Sequence, residues 1–91
     1  MRTIVWRDTA RADLADILDF IASDNPDAAD RLKVLIESTI DRLAEHPLLY
    51  RVGRAPRTRE IVVHPNYLVI YRVLPNEVEI VKVLHARRRY P

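Results

Sequence analysis

"REIVVHPNYLVIYRVLPNEVEIVKVLH", residues 59–85, decides how this chain folds. Three runs rich in β-branched and aromatic residues, "REIVVH", "YLVIYRV" and "VEIVKVLH", are separated by Pro65-Asn66 and by Pro75-Asn76. Proline presets φ and asparagine hydrogen-bonds to nearby backbone, which is what tight turns need. The pattern therefore predicts a three-stranded meander. In the middle run Tyr67, Val69, Tyr71 and Val73 face one way, and Leu68, Ile70 and Arg72 the other. A central strand that is partly apolar on both faces implies that helices cover one face. The chain's own end or a partner protein must then shield part of the other.

Upstream, "RTIVW" reads as a strand over residues 2–6. Asp8 or Thr9 offers an N-cap for a helix running to about Ser23, with Ala10, Leu14, Ile17, Leu18 and Ile21 on one face. Asp13, Asp16 and Asp19 fall on the opposite side and read as a solvated surface. Next, "SDNPDAADRL" places a capping Asn25 before Pro26 at the first helical position, with Asp27 and Asp30 near the positive helix end. The second helix is expected from Pro26 to about Glu45, with the stripe Ala29, Leu32, Ile36, Ile40 and Leu43, stopping before Pro47. "PLLYRVGRAPRTR", residues 47–59, reads as a loop. The order is β-α-α-β-β-β, an α+β fold in which a helical hairpin packs on one face of a mostly antiparallel sheet.

With 91 residues, residues 1–91 are expected to form a single domain with one modest core. The apolar fraction of 48% and charged fraction of 31% belong to a folded globule, not a disordered chain. Cysteine is absent, which removes disulfide and thiolate chemistry and suits a reducing cytoplasm. No segment reads as a signal peptide or a membrane span. The net charge of +2 is polarised: residues 1–50 carry −4 and residues 51–91 carry +6. Two readings fit: one pole meets an acidic partner or nucleic acid, or helices simply carry the acids and strands the bases.

Most site chemistries lack their parts. His46, His64 and His85 are far apart in sequence, so no metal site is expected; Ser23 and Ser38 have no nucleophile elbow, and Gly53 stands alone where a phosphate loop would need several glycines. No cofactor is expected. What remains is the basic and aromatic set of the second half. Metal-free RNA cleavage needs a base, cations on the phosphate and an acid. His85 and Tyr90 could serve as acid or base, and Arg59, Arg72, Arg87, Arg88 and Arg89 as phosphate partners. The same residues could form a docking strip, or a solvated end. Trp6 reads as a core anchor, and Tyr67 and Tyr71 as sheet packing. Arg59 and Glu60 read as members of an inter-strand ion pair. Arg72, a charge amid an apolar strand, needs a partner or an exposed site.

Taken together, "NPDAADRL", "TREIVVHPNYLVIYRV" and "VLHARR" before an aromatic-proline end resemble the ParE branch of the RelE/ParE toxins of bacterial type II toxin–antitoxin modules. The resemblance runs from about Trp6 to Pro91. It implies a helical hairpin against an antiparallel sheet, the order already read from periodicity. It also implies a toxin neutralised by a cognate ParD-like antitoxin in a hetero-oligomer. The branch implies DNA gyrase, through its A subunit, as target, with nucleic acid engaged only indirectly or through the complex. RelE-type members instead cleave mRNA on the ribosome, and for that activity the matching positions are Arg59, Arg72, His85, Arg88 and Tyr90. The lysine-rich loop of the nucleases is replaced here by "RVGRAPRTR", which favours the ParE branch. The resemblance makes Arg72, His85, Arg87, Arg88, Arg89 and Tyr90 the expected contacts for target or antitoxin.

Overall fold

The computed structural model describes residues 1–87. The elements run β1 (Thr3–Trp6), α1 (Asp8–Ala22), α2 (Pro26–Asp41), a 3-10 turn (Arg42–Ala44), β2 (Arg51–Val52), β3 (Arg59–His64), β4 (Tyr67–Val73) and β5 (Glu77–His85). The strands form a five-stranded sheet ordered β1-β5-β4-β3-β2. The predicted meander is β3-β4-β5, all antiparallel, while β1 pairs in parallel with β5. The expected α+β architecture is therefore present. One strand was not foreseen: the segment read as a loop contains β2, whose Arg51 and Val52 pair with Glu60 and Arg59.

Helix α2 begins as its sequence dictates, with the Asn25 side chain accepting a hydrogen bond from the Ala28 N–H at 3.1 Å and Pro26 at the first position. It ends at Asp41, earlier than Glu45, because the last turn tightens into the 3-10 segment ahead of Pro47. Helix α1 corrects the expected cap. Its N-cap is Arg7, with no side-chain cap, and the Thr9 hydroxyl is used elsewhere.

All five residues of the α2 stripe are buried. Ala10 is buried with them, while Leu14, Ile17, Leu18, Ile21 and Trp6 are half-buried against the same core. Val69 and Tyr71 of β4 join this helix-side core, with Tyr67 and Val73 packed at its edge. Leu68 and Ile70 instead form a second cluster with Leu84. The two faces of β4 separate as its alternation requires. On the face away from the helices, Ile70 lies between Glu60 and Lys82 in cross-strand register, so charged stems flank the apolar floor.

Two bulges set the remaining phases. In β5, Ile70 pairs with Lys82 but Tyr71 pairs with Ile80, leaving Val81 as the extra residue. In β3, Val62 pairs with Leu68 and His64 with Tyr67, leaving Val63 as the extra one. Each insertion shifts the strand's alternation by one. Val78 and Ile80 below the bulge and Val83 above it therefore reach the same core.

Tyr71 closes the far end of this core. It is completely buried, and its hydroxyl donates to the Pro47 carbonyl at 2.7 Å, tying the segment after α2 to the central strand. Burial pushes its phenol up to about 12. The unfolded chain would ionise Tyr71 near pH ~10 while the folded chain still holds the proton, so stability is unaffected below that pH and falls as pH rises from there toward about 12. Tyr71→Phe should flatten this alkaline slope in urea-unfolding series measured from pH 8 to 12. At pH 7 the same variant should lose about 1–3 kcal/mol, because the buried Pro47 carbonyl is left without its donor.

Candidate functional site

The hairpin turn at Pro65-Asn66 places His64 opposite Tyr67 on one side, and the β4–β5 register places His85 opposite it on the other. The ring centroids lie 5.7 Å apart for His64–Tyr67 and 5.4 Å for Tyr67–His85, the latter edge-on. The three rings thus form a row across the end of the sheet, on the helix side. Each imidazole Nδ1 accepts a backbone N–H two residues ahead, from Asn66 to His64 and from Arg87 to His85, both at 3.1 Å. The sequence offers His64 only as a metal ligand without ligand-spaced neighbours. Its signal was the turn itself, because Pro65-Asn66 puts the residue before it across from Tyr67.

β5 outruns β1, whose pairing ends at Trp6 opposite Ile80. Helix α1 supplies what the missing strand would. The Thr9 hydroxyl donates to the Val81 carbonyl at 3.1 Å, and Asp13 Oδ2 accepts the Val83 N–H at 3.1 Å. Four helical residues rise about 6 Å and two strand residues about 6.6 Å, so an i, i+4 pair on the helix matches an i, i+2 pair on the strand edge. Asp13 also lies 3.9 Å from Lys82 Nζ. It was expected on a solvated face and instead completes the sheet. With Asp16, Ile17, Val83, Leu84 and His85 it lines a cleft of about 140 Å³.

The basic residues fall in separate places. Arg72 has found a partner: its Nε lies 3.1 Å from Glu79 Oε1, and the other carboxylate oxygen lies 3.2 Å from Arg7 Nε. This cluster sits on the face away from the helices. Arg59, paired with Tyr71 on the helix-side face, donates through Nη1 to the Tyr50 carbonyl at 2.8 Å. The expected inter-strand ion pair involves Glu60 alone. That carboxylate, only 6% exposed, meets Arg51 Nη2 at 2.9 Å and accepts the Arg54 N–H at 3.3 Å. His85 lies on the helix side at the opposite end of β4 from Arg72, about 16 Å along the strand. Arg59, Arg72 and His85 are thus not brought together. Arg87 follows His85 in an exposed turn; Arg88, Arg89 and Tyr90 lie outside the described residues.

Among the described residues, no group of three or more His, Asp or Glu side chains could hold a metal ion, and no helix is long and apolar enough to cross a membrane.

Residues 4–90 match the family model of the ParE toxin of the type II toxin–antitoxin system parDE. The chain belongs to the ParE toxin family. It is 40% identical over 88 residues to toxin RelE2 of Caulobacter vibrioides, covering 97% of this chain and 99% of that one. Toxin RelE3 of the same organism is 33% identical over 92 residues, covering 98% and 99%. Among solved structures, a chain of the chromosomal ParDE system of P. aeruginosa superposes with a TM-score of 0.83 at 21% identity, covering 93% of this chain and 96% of that one. A chain of the YoeB–YefM complex of Staphylococcus aureus gives 0.62 at 12% identity, covering 99% of both. The fold is that of the wider RelE/ParE toxins, with helix α1 acting as the edge partner of β5 in this ParE family member.

That role can be measured at a single amide. Asp13→Ala should lower stability by about 1–3 kcal/mol, since it strips the acceptor from the part-buried Val83 N–H. Hydrogen exchange at Val83 should accelerate selectively. Asp13→Asn, which keeps an acceptor oxygen, should recover most of the protection.

Proposed function

We propose that this toxin arrests growth by inhibiting DNA gyrase, without cutting RNA, and that a ParD-like antitoxin encoded beside it holds it inactive. The observation that carries the choice of target is the dispersal of Arg59, Arg72 and His85 over two faces and two ends of the sheet. An RNA-cleaving centre needs cations, base and acid within hydrogen-bond reach of one phosphodiester. Here Arg72 is already neutralised by Glu79, and Arg59 is turned into the Tyr50 carbonyl. Match to the ParE family model over nearly the whole chain supports the same reading.

An antitoxin partner is supported by the relatives solved as toxin–antitoxin complexes and by the apolar cluster on the sheet face opposite the helices. An extended acidic segment suits that face and the basic end beyond His85. Arg72 at the rim of that face, and His85, Arg87, Arg88, Arg89 and Tyr90 at the chain end, are the proposed contacts for antitoxin or target.

RelE-named relatives make ribosome-dependent mRNA cleavage the competing reading. Controlled expression separates the two. Gyrase inhibition should stop DNA synthesis and induce the SOS response while pulse-labelled translation continues, and purified toxin should inhibit supercoiling in vitro. Translation that stops first, with cleaved mRNA, would sink the gyrase reading. Deleting residues 87–91 should abolish growth arrest or antitoxin capture without unfolding the protein, as checked by circular dichroism.

A further inference from the structure

The end of the sheet opposite the histidines carries a second basic surface. Leu48, Val52 and Val73 line a cleft of about 310 Å³ together with Arg57, Thr58 and Arg59. Leu48 is 64% exposed and Val52 72%, so two aliphatic side chains stand in water where the chain could have placed polar ones. Among the described residues, no carboxylate lies within ion-pair distance of Arg57 or Arg59, in contrast to Arg51 and Arg72. Arg57 makes no hydrogen bond there either, and Arg59 donates only to an uncharged carbonyl.

Arg57 is also held in an uncommon backbone state. Its φ of 63° lies in the left-handed region, where glycine is favoured, and it is the single non-glycine residue there among the described residues. The surrounding loop imposes this conformation. Thr58 donates to the Ala55 carbonyl through its N–H at 3.3 Å and its hydroxyl at 2.7 Å, and the Gly53 N–H donates to the Thr58 carbonyl at 2.8 Å. A Cβ at Gly53 would collide with Thr58 Oγ1, so the loop closes tightly on its own backbone. The loop thus presents the Arg57 guanidinium beside exposed aliphatic groups. Non-glycine residues held in this region cluster at binding and active sites.

The geometry points to this cleft as the docking surface for the toxin's protein target, taking an aliphatic or aromatic side chain flanked by carboxylates. The inference rests on the reading of the chain as a toxin that binds a protein and names the chemistry of that contact. A protein surface is favoured over nucleic acid because a phosphate would use the Arg57 guanidinium but leave Leu48 and Val52 without a role. The cleft lies about 20 Å along β4 from the His85 end, so it is a contact additional to the basic tail.

Arg57→Gly is the informative variant, since it removes the cation while relaxing the backbone; Leu48→Ser removes an exposed apolar group without touching the core. Each should keep full solubility, a thermal midpoint no lower than wild type, and capture of the co-expressed antitoxin. Each should also raise survival on induction at least tenfold, and Arg57→Lys should restore part of the arrest. Wild-type arrest by both variants would overturn the proposal. So would arrest lost in Arg57→Gly alone together with lost binding of an RNA or DNA oligonucleotide, which would mark a phosphate site. Concentration-dependent self-association of wild type that both variants abolish would overturn it as well, by assigning the cleft to a second copy. Gyrase supercoiling is assayed separately: wild-type toxin that arrests growth without inhibiting gyrase contradicts the gyrase reading, while the survival data still judge the cleft.

Discussion

Val81 is one residue too many for an unbroken β5, and the arrangement of the sheet turns on it. Without the bulge, Val78 and Ile80 would face the helices and Val83 and His85 would face away, since alternation has a strict period of two. The inserted residue resets the phase. Val83 enters the helix-side core, Leu84 joins Leu68 and Ile70 on the opposite face, and His85 lands beside Tyr67. The bulge at Val63 does the same for His64 in β3. Two single-residue insertions therefore create the row of rings that closes one end of the sheet.

Because β1 is short, the same stretch of β5 would expose an open strand edge, a standing invitation to pair with another chain. Thr9 and Asp13 occupy that edge with a hydroxyl and a carboxylate in place of backbone. They anchor helix α1 along the strand on which the bulge and His85 lie. This explains why an acidic residue sits within reach of the sheet, and why the Thr9 hydroxyl is withdrawn from capping its own helix.

The arginines divide by whether the fold answers their charge. Arg72 and Arg7 share Glu79, and Arg51 satisfies the buried Glu60; these pairs bridge neighbouring strands, where desolvating the carboxylate without a cation would be costly. Arg57 and Arg59 have no such answer among the described residues and border exposed aliphatic groups. The positive pole seen in the composition is therefore uneven: part of it is internal structure, and part faces outward with an apolar floor.

Local chemistry determined a good deal by itself. Asn25-Pro26 starts a helix because the cap and the fixed φ are properties of those two residues, and the stripe from Ala29 to Leu43 is buried because a period of 3.6 puts it on one face. The turns at Pro65 and Pro75, the meander and the two-faced β4 follow from equally short-range rules. Tertiary structure decided what depends on residues distant in the chain. Nothing near Asp13 in sequence says that the Val83 amide lacks a strand partner, and nothing near Arg72 says that Glu79 will neutralise it. The two-residue β2 exists only because Glu60 and Arg59 present an edge for it. The ring row and the cleft beside Arg57 have the same origin. Each is a product of register, and register is set by summed packing across strands that no local window contains.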